Sequence, residues 1–220
     1  MRSNKPVSKK PGGTRDQLLE AAIRVFSEKS FRDATVAEIC ELAGANIAAV
    51  NYHFGDKETL YVEAWRVAFQ RSIEAYPPDG GIPKEAFAED RLRGRIVALM
   101  RRIADPETRE FEIIHREMSN PTGLLSVVMH ESILPLQKEF HKLIRELLGE
   151  AATDEEIQLC QMSILGQCMH PMMHYRRHQH FAGKMPPPPP MPDIEVVADH
   201  IVRFSLAGLR EVRKRQARRK

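Results

Sequence analysis

Apolar residues recur every three to four positions along most of the chain, and no useful length alternates in twos. That period belongs to helices with one buried stripe, not to strands. Thr14-Arg15-Asp16-Gln17 has the form of a capping box with Thr14 as N-cap, and Leu18, Leu19, Ala22, Ile23 and Phe26 follow at helical spacing. This predicts a first helix ending near Lys29-Ser30. Thr35-Val36-Ala37-Glu38 is a second box, with Ile39, Leu42 and Ala43 as the buried face and Gly44 as the stop. Asn46 predicts the N-cap of a short third helix over Ile47–Phe54. Gly55-Asp56 breaks again, and Asp56 caps a fourth helix running from Lys57 until Pro77-Pro78 forbids continuation near Tyr76.

The helical pattern then continues. Residues 83–104 carry Phe87, Leu92, Ile96, Leu99 and Ile103. Asp105-Pro106 predicts an N-cap with proline at the first helical position, opening a helix to about Met118. Asn120-Pro121 repeats the device before a long helix to about Leu148, kinked at Pro135. Thr153-Asp154-Glu155-Glu156 is a third box and opens a helix over 154–176. Pro186 to Pro190, with Pro192, predict a stiff connector. A last helix runs from Asp193 to about 213, with Val197, Ile201, Phe204, Gly208 and Val212 on one face. The prediction is an all-α protein of about nine helices.

Composition narrows the class. The 220 residues hold 33 Lys and Arg against 30 Asp and Glu, a formal charge of +3, so any nucleic-acid site must be a local patch. With 42% apolar residues the chain can build a core, which excludes wholesale disorder. No apolar run reaches the roughly 18 residues of a membrane span. The basic start lacks a secretory apolar segment. Three cysteines, Cys40, Cys160 and Cys168, without a CxxC pair argue against a disulfide framework or zinc finger and suit the cytoplasm. No Gly-rich phosphate loop, GxSxG or HExxH occurs, and Cys160 and Cys168 read as core, so neither an enzyme nor a cofactor is expected.

The chemistry concentrates between residues 35 and 57. Two short helices around Ala43-Gly44-Ala45 form a helix-turn-helix pattern. Ala37 and Ala43 supply small residues at the crossing, and Val50 with Phe54 point inward. The other face of the second helix, Asn46, Ile47, Ala48, Ala49, Asn51, Tyr52 and His53, can lie in a major groove. Asn pairs with adenine, and Ile or Ala can touch a thymine methyl. Tyr52, His53 and Lys57 suit phosphate contact, and the helix N-terminus at Thr35 offers backbone N–H groups to another phosphate.

Residues 14–60, above all Thr35-Val36-Ala37-Glu38-Ile39, Ala43-Gly44-Ala45 and Asn51-Tyr52-His53-Phe54-Gly55-Asp56-Lys57-Glu58-Thr59-Leu60, resemble the DNA-binding domain of the tetracycline-repressor (TetR) family of bacterial regulators. The resemblance implies a repressor that binds a palindromic operator on double-stranded DNA as a homodimer and is released by a small-molecule effector. It places base reading on Asn46, Ile47, Ala48, Ala49 and Asn51, and phosphate contacts on Thr35, Tyr52, His53 and Lys57. Ile47-Ala48-Ala49 stand where polar or glycine residues are frequent in the family, which shifts weight to Asn46, Asn51 and DNA shape. The organisation implied is a basic arm over 1–13, a three-helix DNA-binding domain over 14–60, a larger helical effector-binding and dimerisation domain over 61–213, and a basic tail over 214–220. The last two long helices would form a four-helix bundle across the dimer axis.

Trp65, Phe69, Met100, Phe111, His115, Met118, Met129, Met162, Leu165 and Met169 are candidate linings of an effector pocket, although each is individually ordinary core material. The sharpest rival signal is His170, His174 and His178 on one helical stripe beside Cys168 and Met169, which suits a metal-responsive regulator of the same fold. Pro171 and Tyr175-Arg176-Arg177 oppose a cation there, so no metal site is assigned. A helical protein without DNA function is the remaining alternative. The basic arm either tracks DNA or is solvated, and the Arg210–Lys220 run is read as a solvated tail.

Overall fold

The computed structural model describes the backbone of residues 12–180 and 192–218, and the side chains of 12–170 and 192–218. Among the described residues lie nine α-helices and no strand. They are α1 (Thr14–Glu28), α2 (Val36–Ala43), α3 (Ile47–Phe54), α4 (Lys57–Ala75), α5 (Ala88–Ala104), α6 (Glu110–Ser119), α7 (Ser126–Leu148), α8 (Asp154–His180) and α9 (Ile194–Ala217). Most of the expected basic arm, the Pro186–Pro190 run and the end of the basic tail fall outside the described residues. The chain divides into two compact units. The first takes Met1–Arg71 and Arg109–Met129; the second takes Ser72–Thr108 and His130–Lys220.

In the first unit α1 packs on α2, α3 and α6. Its core gathers Leu18, Phe26, Ile39, Val50, Leu60, Tyr61, Trp65 and Ile113, all buried. The capping signals explain most of its helix starts. Thr35 Oγ1 accepts from Glu38 N at 3.2 Å, Asn46 Oδ1 from Ala49 N at 3.0 Å, and Asp56 Oδ1 from Thr59 N at 2.7 Å. The bond from Thr59 holds the Asp56 carboxyl below its ordinary range. The Glu38 carboxylate does not close its box; it pairs with Lys29 at 2.6 Å instead. The expectation for Thr14 is corrected: it is the first helical residue, Gly13 precedes it, and no side chain caps α1.

Two further starts are also corrected. Asp105-Pro106 opens no helix. The Asp105 carboxylate accepts from Glu107 N and from the Tyr76 hydroxyl, both at 2.9 Å, which shapes a turn, and α6 begins only at Glu110. Asn120-Pro121 likewise precedes an ordered loop, with α7 opening at Ser126. There the Glu117 carboxylate accepts from Thr122 N, Thr122 Oγ1 and Gly123 N at 2.9 Å each, and from the buried Tyr61 hydroxyl at 3.1 Å. Burial, reinforced by that carboxylate, pushes the Tyr61 phenol far above its ordinary range. Competition from Glu117 for these N–H groups accounts for the lost helical turn.

In the second unit α5 packs on α8 and α9, and α8 on α9. Leu92, Ile96, Met100, Ile144, Ile157, Cys168 and Val202 form its core. The Thr153 box is complete, with Glu156 N donating to Thr153 Oγ1 and Thr153 N to Glu156 Oε2, both at 3.2 Å. Helices α8 and α9 run four residues beyond the expected 176 and 213, to His180 and Ala217. The core side of α9 is Ala198, Ile201, Val202, Ser205 and Leu209. Of the expected stripe Ile201 is buried there and Val197 and Val212 pack half-buried against the same core, whereas Phe204 and Gly208 are exposed. The loop before α5 touches that helix backbone to backbone: a Cβ on Gly80 would lie 2.4 Å from Gly94 O, and one on Gly94 2.8 Å from Asp79 O.

Candidate nucleic-acid interface

Helix α3 is short, with a glycine in the turn before it and another directly after it. Gly44 takes φ 64°, the left-handed conformation that ends α2, and Ala45 N donates to Cys40 O at 2.9 Å to close the cap. Gly55 takes φ 82° after α3. Between them α3 buries only Val50 and Phe54. Ala43 packs against the core as expected, whereas Ala37 is exposed and does not serve the crossing.

The remaining face of α3 is open. Asn46, Ile47, Ala48, Asn51 and Tyr52 are exposed, Tyr52 at 85%, while Ala49 and His53 are half-buried. The His53 ring lies edge-on to Tyr52 at 4.9 Å. Asn46 uses its carbonyl oxygen on Ala49 N, which leaves its amide N–H₂ facing outward chemistry. No side-chain hydrogen bond of Asn51 occurs among the described residues, so its amide keeps both a donor and an acceptor. Thr35 is exposed at the start of α2.

Lys57 is placed differently from a free phosphate anchor. Its ammonium donates to Phe31 O at 2.5 Å and sits 4.3 Å over the Phe31 ring. Burial there pulls the ammonium below the ordinary lysine range. Sequence reasoning missed this contact because Phe31 lies 26 positions away. It also missed two arginines. Arg32 is exposed in the turn before α2 and has no ion pair among the described residues. Arg15 stacks 5.3 Å over Phe54 and pairs with Glu63 at 3.5 Å, fixing the end of α3.

The candidate effector residues divide between the units. Trp65, Phe69, Phe111, His115, Met118 and Met129 belong to the first; Met100, Met162, Leu165 and Met169 belong to the second. Trp65 and Met100 are fully buried, Phe111 is buried, and Phe69, Met129, Leu165 and Met169 are half-buried. His115, Met118 and Met162 are exposed. The Trp65 ring stacks on Phe69 at 5.0 Å, and its buried indole Nε1 has no hydrogen-bond partner among the described residues. His170 lies on the exposed side of α8; the side chains of His174 and His178 fall outside the described residues. Among the described residues no group of three His, Cys, Asp or Glu comes together.

The thiols are quiet. Burial pushes Cys168 up to about 12 and raises Cys40 and Cys160 as well. Thiolate is the reactive form. Cys168 is therefore expected to resist iodoacetamide at pH 8 in the native protein and to react once the chain is unfolded, as read by mass spectrometry of its peptide. Equal labelling in both states would contradict its burial.

Comparison with known proteins gives a consistent picture. Residues 18–64 match the family described as bacterial regulatory proteins, tetR family. Residues 88–209 match the C-terminal domain of the HTH-type transcriptional dual regulator CecR. The chain is 30% identical to the HTH-type transcriptional dual regulator CecR of Shigella flexneri over 163 residues, 70% of this chain and 73% of that one. It is 29% identical to the HTH-type transcriptional repressor AcnR of Corynebacterium glutamicum over 130 residues, 57% of this chain and 62% of the relative. Among solved structures it resembles the fatty acid degradation regulator FadR from Bacillus halodurans, with TM-score 0.64, 18% identity, and 92% and 99% of the two chains covered. A TetR-like transcriptional regulator from Rhodococcus sp. RHA1 gives TM-score 0.65 at 17% identity, covering 91% of this chain and 98% of the other. At such identities the structural likeness speaks for the fold alone.

Proposed function

Because the chain belongs to the TetR family of bacterial regulators and carries a CecR-type C-terminal domain, we propose that it is a homodimeric repressor of a palindromic operator, released by a small-molecule effector. Regulation of transcription through DNA binding is what the family does; the dimer, the release and the sign of regulation are the finer reading. The observation that carries it is the open polar-and-apolar face of α3, with Asn51 and Tyr52 exposed beside a capped α2 N-terminus. No described helix is long and apolar enough to cross a membrane, in keeping with a role in the cytoplasm.

Two observations support the finer reading. Helices α8 and α9 leave Leu159, Met162, Val196 and Phe204 exposed on their outer faces, the kind of apolar surface that a second copy covers. The buried Trp65 indole N–H lacks an acceptor among the described residues, which an effector with a carbonyl, carboxylate or hydroxyl oxygen would supply. Trp65 is also the only tryptophan, so its fluorescence reports effector binding directly.

The test is fluorescence anisotropy of the full chain on operator duplexes over a range of salt. Specific binding is expected to fall steeply as salt rises, in proportion to the phosphates contacted. Tyr52→Ala is expected to weaken all sequences alike. Asn51→Ala is expected to cost about tenfold to a hundredfold and to relax base preference as well. Wild-type binding by both variants would remove α3 from the interface.

A further inference from the structure

The reading face has an unusual chemistry. Helix α3 is Ile-Ala-Ala-Val-Asn-Tyr-His-Phe and carries no Lys or Arg. Guanine is read most often by those two side chains, which donate to O6 and N7 together. What α3 presents at its N-terminal turn is hydrocarbon: Ile47, 53% exposed, and Ala48 beside it. N-terminal residues of a reading helix are those that meet base edges. The apolar group on the major-groove floor is the thymine 5-methyl.

The two asparagines differ in what they have left. Pairing with adenine needs one donor and one acceptor at once. The Asn46 oxygen is held at the helix start by Ala49 N at 3.0 Å, which leaves it one lone pair and a fixed orientation alongside its free N–H₂. Asn51 is exposed and keeps both groups. Ile47 and Asn51 stand one helical turn apart on the same face.

Resting on α3 as the reading helix, we propose that Ile47 and Ala48 read thymine methyl groups while Asn51 reads an adenine, so that the bases under α3 in each half-site are A·T pairs. Specificity then comes from methyl contact plus one amide pair, not from cation-to-guanine bonds. The half-buried His53, turned against Tyr52, adds no guanine fork.

The experiment starts with selection of duplexes from a random library by the full-length protein at moderate salt. In the enriched sequence each thymine of a half-site is then replaced singly by deoxyuridine, which removes only the methyl. The expected result is a palindrome with A·T pairs at the read positions, one or two of whose uracil replacements weaken binding about fourfold each. The uracil effect under Ile47 is expected to vanish in Ile47→Ala, a coupling that altered DNA shape alone would not produce. Ile47 is outside the core, and far-UV circular dichroism checks that the variant stays folded. A palindrome with G·C pairs at the read positions, or thymine replaced without effect, overturns the methyl reading and leaves α3 as the reading helix. No enriched sequence at all overturns the regulator reading, and this proposal with it.

Discussion

Phe204→Glu is expected to convert the proposed homodimer to a monomer and to lower operator affinity by about a thousandfold or more. Phe204 is 63% exposed on α9 and sits outside the core side of that helix, so its substitution leaves the packing of the second unit untouched. Gly166 on α8 and Gly208 on α9 keep the neighbouring surface low; a Cβ at either would meet nothing within 4 Å. In a two-fold dimer one substitution changes both copies of the same patch. Two carboxylates then enter an apolar interface without partners, which such interfaces do not tolerate. A monomer holds one half-site and forfeits the contribution of the other. Sedimentation at micromolar concentration and anisotropy on the operator measure the two effects. A dimeric Phe204→Glu protein would place the dimer interface elsewhere.

Gly80→Ala is expected to destabilise the protein by about 3 kcal/mol, composed of about 1 kcal/mol for a left-handed alanine and about 2 kcal/mol for overpacking. The residue has φ 66°, and its Cβ would lie 2.4 Å from the carbonyl oxygen and 2.8 Å from the Cα of Gly94. Those atoms are helix backbone and cannot rotate aside. The neighbour supplies the control. Gly81 has φ 72° but open space around its Cβ position. Gly81→Ala is expected to cost only the conformational part, about 1 kcal/mol. Thermal denaturation should separate them, with a fall in Tm of about 6–12 °C against about 2–4 °C. Equal effects would mean that the loop lifts off α5 without cost.

The helix-turn-helix was legible because its determinants are local. Thr35, Asn46 and Asp56 each bond an N–H three residues on, and Gly44 ends α2 through its own backbone conformation. Where the sequence misled, a distant group had intervened. Glu117 takes the N–H groups of Thr122 and Gly123 while binding Tyr61, 56 positions away. Asp105 answers to Tyr76 as well as to its own turn. Lys57 looked free because nothing in its neighbourhood along the chain announces the Phe31 carbonyl. Periodicity on α9 could not tell a stripe covered by its own chain from one left open, since both are apolar.

Only two of the eight residues of α3 are buried in the core, Val50 and Phe54, with Ala49 half-buried against it. Ile47, Ala48, Asn51 and Tyr52 answer to water, not to packing, and the helix is started by the Asn46 cap and ended at Gly55. Substitutions on the open face therefore carry little penalty in folding. Binding preference in such a protein can drift one base pair at a time while the scaffold stays intact, so close descendants are free to diverge in the promoters they control. For the engineer the same separation makes the segment an exchangeable cassette, retargeted without rebuilding the fold around it.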